Sequence, residues 1–140
     1  MKIMAIDLGD VRTGVAVSDL SGFLAGRSVT VTERRRDRLL ERLAEIISEE
    51  KPARIVVGLP LNMDGSEGAR AALCREFAES LREKSGLPVD MWDERRSSVT
   101  AGRILSDMGK KRGKQRARVD AVAASVILQG YLDRMNMEKK

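Results

Sequence analysis

Residues 2–18 read KIMAIDLGDVRTGVAVS, and the fold follows from how this stretch divides. Ile3, Met4, Ala5 and Ile6 form one apolar run, and Val15, Ala16 and Val17 form a second after a turn of Gly and Asp. Two apolar runs so closely spaced predict paired strands over 2–7 and 13–18, with Gly14 tolerating close backbone approach. Asp7 ends the first run. An ionised carboxylate leaving a sheet core is costly unless something positive meets it, so Asp7 requires a partner.

Working outward, residues 23–32 predict a third strand, in which Val29 and Val31 alternate with Thr30 and Thr32. Leu39, Leu40, Leu43, Ile46 and Ile47 fall at helical spacing and predict an amphipathic helix over 34–50, stopped by Pro52. RIVVG (54–58) is a short apolar strand, followed by the loop GLPLNMDGSEG (58–68). Ser66 is the expected cap of a helix over 67–85 that buries Ala72, Leu73, Phe77 and Leu81 and ends at Gly86. A strand over 87–92 and helices over 98–108 and 119–134 complete the chain, the last carrying Val122, Val126, Ile127 and Leu128. Three strands with short connections predict an antiparallel meander, and strands separated by helices add in parallel by right-handed crossovers. The expectation is one α/β domain over 1–140, a mixed five-stranded sheet of order 3-2-1-4-5 flanked by helices. Its strand-end crevice lies at the carboxyl ends of strands 1, 4 and 5, where open α/β sheets bind ligands.

Composition narrows the chemistry. The chain has no histidine, which excludes Ser-His and Cys-His nucleophile pairs and His-liganded zinc. A single cysteine, Cys74, forms no internal disulfide and is expected as a small core residue. Asp7 and Asp10 interrupt the apolar start, so no signal-peptide pattern appears, and no apolar run approaches the roughly 18 residues of a membrane helix. The expectation is a cytoplasmic protein. The net charge is +5, and KKRGKQRAR (110–118) places Lys110, Lys111, Arg112, Lys114, Arg116 and Arg118 together; these are six of the 26 cations, leaving 20 against 21 acids elsewhere. The basic character belongs to this one segment, which reads either as a solvated loop or as a phosphate-binding one.

The expected topology brings three acids to one rim. Asp7 ends strand 1, Glu94 in WDERRSS follows strand 5, and Asp120 in RVDAVAAS falls in the first turn of the last helix, where the helix dipole favours negative charge. Taken singly, each has a structural alternative: Asp7 capping its turn, Asp120 as a helix N-terminal acid, Glu94 paired with Arg95 or Arg96. Together they would repel unless neutralised, and one or two Mg²⁺ or Mn²⁺ ions between them make an oxygen-ligand site.

The segments AIDLGDVRTGVAVSD, IVVGLPLNMDGSEG, WDERRSSVTA and VDAVAASVILQGYL resemble, in order and over residues 7 to 132, the YqgF (RuvX) family of Holliday junction resolvases. The resemblance implies a ribonuclease H-like fold, Asp7, Glu94 and Asp120 as the acidic active-site residues, and nuclease action on structured nucleic acid, either branched DNA or precursor ribosomal RNA of the small subunit. The position after the last acid, often Lys in the family, is Ala121 here. Related sites often have a fourth acid, for which Asp10, Asp64 and Asp93 are the candidates. The expected reaction is phosphodiester hydrolysis by two metal ions, Mg²⁺ or Mn²⁺, which needs no histidine.

Arg12 and Arg95, near the acids in sequence, are expected either to contact the phosphate or to form surface salt bridges. Lys110, Lys111, Arg112, Lys114 and Arg116 would hold flanking backbone, with steep salt dependence and little sequence information. In the loop 58–68, Asn62 and Ser66 either offer hydrogen bonds to sugar or phosphate or serve ordinary strand-to-helix turn chemistry. Trp92 is expected in the core. A junction resolvase makes two symmetric cuts, which predicts a homodimer. Two other readings stand beside the nuclease: a nucleic-acid-binding module whose acids are structural, and an ATP-handling domain, because DLGDVRTGVAV also resembles the first phosphate loop of sugar kinases and actin-like folds.

Overall fold

A computed structural model describes residues 1–22, 24–96 and 115–138, with backbone only at 96, 115–121 and 138. The elements are Ile3–Asp7 (β1), Arg12–Ser18 (β2), Ala25–Thr32 (β3), Arg36–Glu50 (α1), Arg54–Leu59 (β4), Ala69–Ser85 (α2), Val89–Asp93 (β5), a 3-10 turn at Glu94–Arg96, and Gln115–Glu138 (α3). The sheet order is β3-β2-β1-β4-β5, as the connection lengths predict. β1 pairs antiparallel with β2 and parallel with β4, and β4 pairs parallel with β5. The carboxyl ends of β1, β4 and β5 therefore share one edge. The expected helix over 98–108 lies outside the described residues, as do Lys110, Lys111, Arg112 and Lys114.

The β1–β2 turn is tight for a steric reason. A Cβ on Gly9 would lie 1.9 Å from the Arg12 carbonyl oxygen, so only glycine fits there. The Gly9 N–H donates to Thr13 Oγ1 at 3.3 Å, and Thr13 is fully buried.

Side-chain alternation along the strands divides the core in two. Met4, Ile6, Ile55, Val57, Leu59 and Val89 face Leu39 and Leu43 of α1 and Cys74, Phe77 and Leu81 of α2. Ile3, Ala5, Val56 and Trp92 face Ala124, Ile127, Leu128, Tyr131 and Leu132 of α3. Trp92 is in the core as expected, edge-on to Tyr131 with ring centroids 6.0 Å apart. Cys74 is buried. Among the described residues no helix is long and apolar enough to cross a membrane.

Three local expectations are corrected. Gly68 rather than Ser66 is the N-cap of α2, with no side-chain cap bond, because the Ser66 hydroxyl is committed to Asp64. The buried face of α2 runs through Ala71, Cys74, Phe77, Ala78 and Leu81, which leaves Ala72 and Leu73 outside. Small side chains let this face lie close to the sheet, so the more hydrophobic Leu73 does not mark it. Finally, α3 begins at Gln115, so Asp120 lies beyond the first turn, where the dipole's effect has decayed.

Candidate active site

The strand alternation that sends Ile3 and Ala5 toward α3 sends Asp7 the same way, and β4 and β5 do likewise for Gly58 and, one residue past the strand, Glu94. Asp7 and Glu94 meet: their side chains are hydrogen-bonded to one another. Burial pushes the Glu94 carboxyl above its ordinary range; the bond to Asp7 and the nearby Arg70 guanidinium oppose that rise, and Asp93 adds to it. Two carboxyls in contact raise the cost of ionising both, and a cation between them offsets that cost.

Gly58 makes room for this pair. A Cβ there would fall 2.5 Å from Glu94 Oε1 and 2.7 Å from Ile127 Cδ1, so Glu94 rests against bare backbone at the end of β4. The sequence reading gives Gly58 as the end of a strand and the start of a loop and assigns it no contact, although a glycine ending an otherwise β-branched strand is a signal of close approach.

Arg70 is the other residue that sequence reasoning missed. It stands in the first turn of α2, where the helix dipole disfavours a cation unless acceptors meet it. Its guanidinium donates to the Leu8 carbonyl at 2.6 Å and to Asp10 Oδ1 at 2.7 Å. Arg36, in the first turn of α1, donates to the Gly9 carbonyl at 3.0 Å. Two arginines from two helices thus hold the turn that follows Asp7. One helical turn beyond Arg70 lies Cys74; burial raises its thiol pKa, Arg70 and Arg36 oppose this, and Glu94 and Asp7 add to it, so all four charges lie within electrostatic reach of one sulfur.

The candidate fourth acids are engaged elsewhere: Asp10 with Arg70, Asp64 with Ser66, and Asp93 with Arg95 at 2.8 Å. Arg12 begins β2 opposite Thr32, on the same edge as Asp7. Arg95 forms the surface salt bridge considered for it and also donates to the Met63 carbonyl at 3.4 Å. Asn62 Nδ2 donates to Ser66 Oγ at 3.0 Å, so both expected phosphate donors are tied into their own loop. The side chains of Asp120 and Arg116 lie outside the described residues. Among the described residues no group of three acids, histidines or cysteines is close enough to hold a metal ion; Asp7 and Glu94 make two.

Because the Glu94 pKa is raised on folding, the folded state binds more protons than the unfolded one between the ordinary glutamate value of 4.5 and the raised value. Stability is therefore fully present below 4.5 and is lost as pH rises through the folded pKa. Glu94→Gln is expected to raise the midpoint of thermal unfolding in EDTA by about 2–5 °C at pH 7 and by nearly nothing at pH 4. A difference equal at both pH values would contradict this origin.

The family model described as "RuvX: Holliday junction resolvase" matches residues 1–134. A relative from Myxococcus xanthus, named "Putative pre-16S rRNA nuclease", is 46% identical over 133 residues, which are 95% of this chain and 88% of that relative. The structure of Thermus thermophilus RuvC in complex with a Holliday junction substrate matches at a TM-score of 0.65 and 16% identity, covering 97% of this chain and 96% of that one. A hexokinase of the ROK group from the same organism matches at a TM-score of 0.50 and 22% identity, over 74% of this chain but only 38% of its own. The likeness to phosphate-loop folds is therefore one of shared architecture, and the ATP-handling reading gains no support.

Proposed function

The chain belongs to the RuvX family of Holliday junction resolvases, and from that premise we propose that it is a metal-dependent endonuclease whose Asp7, Glu94 and Asp120 hold two Mg²⁺ or Mn²⁺ ions. The observation that carries this reading is the hydrogen-bonded pair of Asp7 and Glu94 at the carboxyl edge of the sheet. An all-oxygen donor set suits a hard cation, and it fits these residues because a cation between them offsets the repulsion of two ionised carboxylates. The third ligand is assigned by helical period. Position 120 lies four residues before Ala124 and seven before Ile127, on the stripe of α3 that packs on the sheet. Ile127 lies at Gly58 and Tyr131 at Arg54, so α3 runs toward the carboxyl edge at its N-terminus, which supports a role for Asp120 beside the other two acids.

When bound, the metal supplies Lewis-acid activation of the phosphate and of attacking water. The protein's part is to hold its carboxylates without reorganisation. Glu94 is fixed by the Gly58 gap, and Asp7 is fixed by a turn clamped from behind by Arg70 and Arg36. Arg12 and the basic residues Lys110, Lys111, Arg112, Lys114 and Arg116 bind the phosphodiester backbone on either side of the cut. The substrate is structured nucleic acid, a branched DNA or a precursor of 16S ribosomal RNA, and resolution of a junction by paired cuts requires a homodimer.

The direct assay offers four-way DNA, single-stranded RNA and precursor rRNA in parallel, with Mn²⁺, Mg²⁺ or EDTA. Metal-dependent cleavage of at least one structured substrate is expected, and binding of all three without cleavage would leave only a nucleic-acid-binding module. Arg70 acts on this site as a positioning residue. Arg70→Ala is expected to lower kcat about 10–100-fold with KM little changed, and Arg70→Lys is expected to restore little because one ammonium does not match the two-acceptor fork. A loss confined to KM would make Arg70 a substrate contact instead.

A further inference from the structure

Met63 is 99% exposed. A single exposed apolar side chain is unremarkable by itself, but its surroundings are unusual for one. It stands at the tip of the loop after β4, on the edge that carries Asp7 and Glu94. Leu61 pairs with Glu67 across the base of this loop. Inside it, the Asn62 N–H donates to the Ser66 carbonyl and the Gly65 N–H to the Asn62 carbonyl, each at 2.9 Å. Asp64 Oδ1 accepts from the Ser66 N–H at 2.9 Å and from its hydroxyl at 2.6 Å.

The bracing extends to the acid pair. Arg95 donates to the Met63 carbonyl and is held by Asp93, the residue before Glu94. Arg95 thus links the Met63 backbone to the segment that carries Glu94, and the Met63 side chain stands in solvent. Ordinary strand-to-helix turn chemistry gains nothing from this arrangement. A stiff loop that presents an apolar side chain beside a cleavage site is the layout of a wedge, and methionine is among the residues that proteins insert between base steps. Its unbranched, polarizable thioether packs well against an aromatic face.

We propose that Met63 packs against an unstacked base next to the scissile phosphate, so that the loop selects strands carrying an unpaired nucleotide at a branch, bulge or loop. This inference rests on the nuclease reading and narrows its substrate class. A continuous duplex offers no free base face, and its rejection follows from the same contact.

The test uses the full chain in EDTA, where no cleavage occurs, and a duplex with a single bulged 2-aminopurine, which brightens when it is unstacked. Wild type and Met63→Leu are expected to raise the fluorescence about threefold at saturation, whereas Met63→Ala and Met63→Gln give less than about a third of that rise. The preference for bulged over fully paired duplex is expected to fall about tenfold in the Ala variant, a typical loss for one base contact. Thermal unfolding at the wild-type midpoint checks that the variants fold. Equal fluorescence and equal preference in wild type and Met63→Ala would overturn the proposal, as would a wild type that shows no preference for the bulge. The readout is independent of the chemistry. A response that depends on Met63 in a protein that cleaves nothing would keep the wedge and remove the nuclease reading; cleavage with an unaltered response in Met63→Ala would do the reverse.

Discussion

Asp7→Asn is expected to lower metal-dependent cleavage by about 10³-fold or more, while affinity for nucleic acid stays within about twofold of wild type. Asparagine keeps the shape of the side chain and its capacity to hydrogen-bond with Glu94, so the end of β1 and the turn clamped by Arg70 and Arg36 stay in place. What would be lost is one of the negative charges proposed to hold the cation. Binding, which the proposed function assigns to cations at phosphates, would be insensitive to this exchange or slightly favoured by it. Cleavage is measured by single-turnover kinetics and binding by titration in EDTA. If both fell together, Asp7 would be a folding residue and the metal reading would lose its first ligand.

Gly58→Ala is expected to reduce kcat about 100-fold, a loss of the size that follows from roughly 1 Å of misplacement at a reacting group. The added methyl meets Glu94 Oε1 at 2.5 Å and Ile127 Cδ1 at 2.7 Å. Both are ends of side chains, so the fold can yield at a cost of about 1–3 kcal/mol. The Glu94 carboxylate and the end of Ile127 must both shift, which disturbs the present contact of Glu94 with Asp7. Turnover measured beside thermal unfolding separates the two effects. Wild-type turnover in Gly58→Ala would mean that the position of Glu94 is not critical.

Much of this was readable from residue order. Short connections between the first three strands and helices between the later ones leave few ways to build the sheet, and the observed order follows. Asp7 and Glu94 were legible because a carboxylate at the end of a buried strand needs an explanation. Gly58 and Arg70 were not, since their significance lies in contacts between elements far apart in the chain. Arg70 reaches back 62 residues to the Leu8 carbonyl. The face of α2 was misjudged because Ala71, Cys74 and Ala78, chosen for size, carry it, while Leu73 stays outside. The start of α3 was placed late because the basic run before it carries no apolar period to mark a helix. Asn62 and Ser66 bond to one another and to Asp64 within their loop, as the turn-chemistry alternative for them expects.

The central claim is that Asp7 and Glu94 share a divalent cation, and an anomalous difference map from crystals soaked in Mn²⁺ tests it most directly. The expected result is a manganese peak beside Asp7 and Glu94 at the end of β1, lost in Asp7→Asn crystals. A wild-type map with manganese bound elsewhere and none beside Asp7 and Glu94 would contradict it.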